Sequence, residues 1–133
     1  KNGISLQLQK PKEATAQSLP NGIAVKYTGS ESENETEITD GFLISIRIKD
    51  SEVQEFLKKN KSSGTAKTLT ISGRPAYTYS PGSESGIDNT HYVYALPESP
   101  GSIAHIVVNK QPSSSELYEM ACERILNSIK WRN

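Results

Sequence analysis

Residues 90–96 (THYVYAL) and 102–108 (SIAHIVV) decide the fold. A strand with one wet face alternates apolar and polar residues, whereas these two runs are apolar on both faces. They read as central strands, covered on both sides. Pro97-Glu98-Ser99-Pro100-Gly101 between them has the composition of a turn. We read the pair as a hairpin in which Leu96 faces Ser102. That register sets Val93 opposite His105 and His91 opposite Val107. Both histidines then point to one face, as diagonal neighbours. A slip of one residue separates them.

Outward from this hairpin, most segments alternate with period two. Ile4, Leu6 and Leu8 interleave with Ser5, Gln7 and Gln9. Ile23, Val25 and Tyr27 do the same, as do Leu69 and Ile71 between threonines. The clearest case is Phe42, Ile44, Ile46 and Ile48 against Ser45, Arg47 and Lys49. Such alternation favours an antiparallel sheet over a doubly wound parallel one. Ser72-Gly73-Arg74 joins strands 67–71 and 75–80, with Gly73 free to take positive φ.

Two stretches change to helical spacing. Residues 51–60 carry Val53, Phe56 and Leu57 at i, i+3 and i+4, with Ser51 and Gln54 at capping-box spacing. Lys58 and Lys59 fall in the last turn, where they suit the helix dipole. The second helix runs from Ser113 to Ile129, with Ser113 and Glu116 as its capping box. Leu117, Ala121, Ile125 and Ile129 form its apolar stripe, beside Tyr118 and Cys122. A short helical turn is expected within 10–20. The element order is β-β-β-α-β-β-β-β-α. The fold class is α+β, in one domain over 1–133, with residues 1–21 supplying an N-terminal strand and short helix.

The composition narrows the function by exclusion. The chain has 133 residues, 15 basic and 15 acidic, and no net charge. That length supports one real core. Zero net charge argues against a nucleic-acid binder. With Cys122 as the single cysteine there is no intrachain disulfide, and its mid-helix place marks it as a small buried hydrophobe. No apolar run approaches the ~18 residues of a membrane span. The chain begins at Lys1 and its one methionine is Met120, which we read as a chain starting downstream of its native start, either because a targeting segment was removed or because the chain was trimmed.

No Walker sequence, G-x-G-x-x-G, H-E-x-x-H or C-x-x-C is present. Gly82-Ser83-Glu84-Ser85-Gly86 imitates a nucleophile elbow but has Glu84 where serine must stand. Neither a catalytic set, a resident metal nor a cofactor is expected. Residues 29–40 hold Glu31, Glu33, Glu35, Glu37 and Asp40 without a base from 30 to 40. They lack the central glycine and distal glutamate of a calcium loop, and read as a solvated segment or a partner surface.

The histidines are the sharpest constellation. If Tyr79 faces His91 across the next strand pair, Tyr77 and Tyr79 join His91 and His105 on one face. Two imidazoles and two phenols there suit a ligand or a metal. The alternative is a hydrogen-bonded pair packed under a helix or loop. Trp131, after the last helix, is expected to pack at the edge of the core.

Residues 22–27 (GIAVKY), 71–79 (ISGRPAYTY), 90–94 (THYVY), 103–108 (IAHIVV) and 124–131 (RILNSIKW) resemble the PsbP-like superfamily. The likeness covers about 22–131. That fold also includes the Ran-binding Mog-type import factor and many small exported bacterial lipoproteins. The resemblance implies a single antiparallel sheet of six or seven strands with helices on both faces. It implies a non-catalytic domain that stabilises or docks onto larger assemblies, and it transfers no catalytic residue. After the tyrosine strand this chain has the acidic segment where relatives often have Pro and Trp, which departs from a photosystem role.

Sequence and resemblance together predict an extracytoplasmic accessory domain, periplasmic or at the cell surface, from an exported bacterial protein or lipoprotein. It is expected to act through a protein–protein surface: Glu31, Glu33, Glu35 and Glu37, or the face of Tyr77, Tyr79, His91 and His105. Any membrane tie would run through a missing N-terminal lipid anchor. The alternative is a small-ligand or metal carrier using the Tyr/His face.

Overall fold

The computed structural model describes residues 5–10, 12, 14–28, 41–60, 67–79, 89–111 and 116–132. The hairpin 90–108 forms in the expected register. Strand β7 (Asn89–Ala95) pairs antiparallel with β8 (Ser102–Gln111), with His91 opposite Val107 and Val93 opposite His105. The Leu96 N–H donates to the Ser102 carbonyl at 3.1 Å and closes the turn, in which Gly101 takes φ 84°.

Around it lie β2 (Thr15–Leu19), β3 (Gly22–Thr28), β4 (Gly41–Asp50), β5 (Lys67–Ile71) and β6 (Arg74–Tyr79). Together these form a seven-stranded antiparallel sheet in the order β2-β3-β4-β8-β7-β6-β5. Strand β8 is the middle strand, flanked by β4, and that place explains its doubly apolar run. Helix α1 (Val53–Asn60) follows β4, and α2 (Glu116–Asn127) follows β8. The α+β expectation holds, as a largely antiparallel sheet with two helices.

Phe42, Ile44, Ile46 and Ile48 of β4 are buried in one cluster with Cys122, Ile125 and Leu126 of α2. Each such aliphatic side chain removed from water stabilises by roughly 1.5–3 kcal/mol before entropy is counted. A second, smaller cluster joins Phe56 and Leu57 of α1 to Tyr79, Val93 and Ile103. Val93 and Ile103 are sequence neighbours of Tyr94 and Ala104, which belong to the first cluster, so the hairpin is apolar on both sides.

Four expectations change. Residues 10–20 hold no helical turn among the described residues: Thr15–Leu19 is the edge strand β2. Four of its five residues are exposed, so no apolar alternation announces it. Pairing with β3 makes it a strand, through the two-residue turn Pro20-Asn21 with Asn21 at φ 61°. The N-terminal strand β1 (Ser5–Gln7) leaves the main sheet and pairs with β9 (Lys130–Arg132), Leu6 opposite Trp131.

Helix α2, with Ile129 just after it, keeps Ala121, Ile125 and Ile129 of the expected stripe against the core and departs from it at Leu117. Leu117 is 74% exposed, while Tyr118 packs on Tyr27 and Phe42. Tyr118 and Cys122, expected beside the stripe, join the packed side together with Leu126. Contact with the sheet decides the first turn, where Tyr118 and not Leu117 is packed. At α1, the expected capping box does not form. The Ser51 hydroxyl donates to the Glu52 carbonyl, and the Gln54 amide donates to the Tyr77 hydroxyl at 3.3 Å. Ser113, the Gly82–Gly86 stretch and Glu31, Glu33, Glu35 and Glu37 lie outside the described residues.

Candidate functional site

Register alone brings the Tyr/His residues together. Tyr79 pairs with His91, and Tyr77 with Val93, while Val93 pairs with His105. Since alternate residues share a face, Tyr77, Tyr79, His91 and His105 all project to one side. This is the face on which α1 packs.

Three of the four form a continuous row of rings. Tyr79 stacks on His91 at 4.9 Å between centroids and 19° between planes. His91 stacks on His105 at 5.1 Å, and Phe56 of α1 lies against His105 at 4.8 Å. His91 Nδ1 and His105 Nε2 are 2.9 Å apart, a hydrogen bond in which one ring holds the proton and the other accepts it. Tyr77 stands beside this row, with its hydroxyl taken by Gln54 of α1.

The surroundings keep both imidazoles neutral. Burial drives the His105 pKa down to about 3, assisted by Lys49, His91 and Arg47. Burial, then the Lys49 charge, lowers that of His91. Lys49 itself is lowered, by burial and by Arg47, and its ammonium sits 5.3 Å over the Phe56 ring. Burial raises the Tyr79 phenol. One N–H···N hydrogen bond between two neutral rings fixes their orientation on the sheet face. Its cationic neighbours disfavour a metal cation there. Among the described residues no three His, Cys, Asp or Glu side chains converge on a point that a metal could occupy.

Sequence reading did not find Lys49 or Phe56 as parts of this set. Lys49 carried a signal, since it alternates with Ile48 on the strand that flanks His105. Phe56 carried none beyond its helical spacing. A further pair was also missed: Arg74 at the start of β6 makes a two-pronged ion pair with Glu98 in the β7–β8 turn, with one arm at 2.7 Å. The Arg74 hydrogen bond holds the Glu98 carboxyl below its usual range. Cys122 is buried as expected, and burial pushes its thiol up to about 12. Trp131 packs in the core and donates to the Tyr94 hydroxyl at 2.8 Å.

A seven-stranded antiparallel sheet with two helices, and a row of stacked rings on one face, defines an α+β fold. No family model and no curated protein matches this sequence. Solved structures do match in fold. One is LpqN, involved in cell envelope biogenesis of Mycobacterium tuberculosis: TM-score 0.64, 16% identity, over 100% of this chain and 87% of that one. A second, from Bacteroides thetaiotaomicron, has TM-score 0.54 and 13% identity, over 96% of this chain and 45% of that one.

Proposed function

We propose that this chain is a non-catalytic accessory domain of the cell envelope, of PsbP-like type, with α1 and α2 on opposite faces of its sheet. It works outside the cytoplasm, as part of an exported protein or lipoprotein, and acts through a protein–protein surface. The observation that carries the reading is the closed Tyr/His row. Each imidazole commits one ring nitrogen to the other, His105 packs on Phe56 and His91 on Tyr79, which favours a packing role for this face. The envelope assignment draws on the fold shared with LpqN along the whole chain. A partly buried neutral pair also disfavours a carrier that uses this face, because loading it would cost both the pair and the α1 packing.

The partner surface in this reading is the acidic run Glu31, Glu33, Glu35 and Glu37. The test is cross-linking in intact cells with the four residues changed to lysine. An envelope protein should be captured by the natural chain and lost with the variant, at an unchanged melting temperature. Capture that survives the change, or recovery of the chain from the cytoplasmic fraction, would sink it.

A further inference from the structure

A trough runs along β1 and the residues after it, away from the Tyr/His row. Its first cavity, about 350 Å³, is bounded by Leu6, Leu19, Ile48 and Trp131, with Ser18 and Asn21 at its border. The next, about 490 Å³, shares Leu6 and Ile23 with the first and extends to Lys10 and Lys130. A third, about 280 Å³, shares Gln9 and Lys10 with the second and reaches Arg124 on α2. The space exists because the edge strand β2 lines it with Ala16 and Ser18, both small and exposed.

The trough is polarised. Three cations line it and, among the described residues, no Asp or Glu does. In a chain with equal numbers of acids and bases, that is a local excess of one sign. The cations are also gathered at one end. Lys130 pairs across from Gln7, while Trp131 pairs across from Leu6, so polarity rises along β1 toward Lys10. The Lys10 ammonium donates one hydrogen bond to the Ala14 carbonyl at 2.7 Å and has two further N–H groups for another acceptor. From Leu6 to Lys10 the chain spans at most about 13 Å, a length that suits one alkyl chain rather than a folded partner.

We propose that this trough binds a single-chain anionic amphiphile. The head lies among Lys10, Arg124 and Lys130, and the tail runs toward Leu19, Ile48 and Trp131. Apolar walls remove the tail from water, and the three cations compensate the head. This goes beyond the accessory reading and uses a different surface from Glu31–Glu37.

Trp131 is the single tryptophan, so its fluorescence reports the tail end directly. The probe is dodecanoate carrying bromine at the tail terminus, titrated below its micelle concentration. Saturable quenching is expected, stronger than with bromine beside the carboxylate. Ala16→Phe with Ser18→Phe fills the trough from exposed positions and should weaken binding about tenfold or more. If that double variant folds poorly, Ser18→Phe alone makes the same comparison. Lys10→Glu with Arg124→Glu should weaken dodecanoate about tenfold and leave dodecanol unchanged. Absence of saturable quenching overturns the proposal, as does quenching undiminished by the Phe variants. Equal affinity for dodecanol and dodecanoate in the natural chain overturns the assignment of an anionic head. Quenching seen only with a dimer on gel filtration makes the trough an interface between copies and overturns the ligand site.

Discussion

His91 Nδ1 lies 2.9 Å from His105 Nε2, across the β7–β8 pair at diagonal positions. At the backbone such positions are roughly 7–8 Å apart, so the contact is made by the side chains reaching toward each other along the sheet. One proton serves the bond. Protonating both rings would set two N–H donors against each other beside Lys49 and Arg47.

Stability should therefore fall on acidification through the histidine range. In the folded chain His105 titrates at about 3 and His91 below its ordinary value, whereas unfolded histidine titrates near 6.5. Between those values the unfolded chain binds more protons, so stability is complete above about pH 6.5 and declines as pH drops toward 3. Melting temperatures at pH 7 and pH 5 test this, above most carboxylate titration. His91→Leu with His105→Leu should flatten that limb. An equal slope in the variant would assign the acid sensitivity to other groups.

Gly22 is placed by close approach rather than by a turn. A Cβ there would stand 1.9 Å from the Ile46 carbonyl oxygen, which is backbone and cannot rotate away. Gly22→Ala should cost more than about 3 kcal/mol by parting β3 from β4. Urea unfolding measures it. A midpoint within error of the natural chain would contradict this geometry.

Trp131 and Tyr94 meet edge to face at 6.4 Å, with the indole N–H donating to the phenol. Burial pushes the Tyr94 phenol up to about 12. Trp131→Phe keeps an aromatic ring but strands a buried hydroxyl, at a cost of about 1–3 kcal/mol. Replacing the pair, with Tyr94→Phe added, should recover part of the loss. Chemical denaturation of both variants distinguishes a hydrogen-bond effect, which the second change relieves, from a packing effect, which it does not.

Cys122 should be inert while the chain is folded. It is 4% exposed and its thiol titrates at about 12, so almost none is thiolate at neutral pH. An aromatic disulfide reagent should label it only as fast as the protein opens, with the rate rising steeply in denaturant. Rapid stoichiometric labelling in native buffer would mean that α2 does not hold the thiol inside.

Local pattern carried much of this fold. The hairpin register, the turn at Ser72-Gly73 (φ 52° and 83°) and the alternation of β4 all follow from neighbouring residues. Given the register, period two places Tyr77, Tyr79, His91 and His105 on one face, so the candidate set was legible before any coordinates. That legibility is local by nature. A strand's period and a turn's dihedral preference are properties of a few successive residues.

What needed the tertiary structure is what neighbours in space supply. TAQSL is a strand because β3 offers it a partner, not because of its own pattern. Leu6 and Leu8 alternate in burial with Gln7 and Gln9 as read, Ile4 lying outside the described residues, yet Leu6 pairs with Trp131 at the far end of the chain rather than joining the main sheet. In α2 the apolar spacing includes Leu117, and contact with Phe42 and Tyr27 packs Tyr118 in its place. The closing of His91 onto His105 depends on rotamers set by Phe56 and Tyr79. Sequence spacing determines which way a side chain leaves the backbone; only packing determines what it meets.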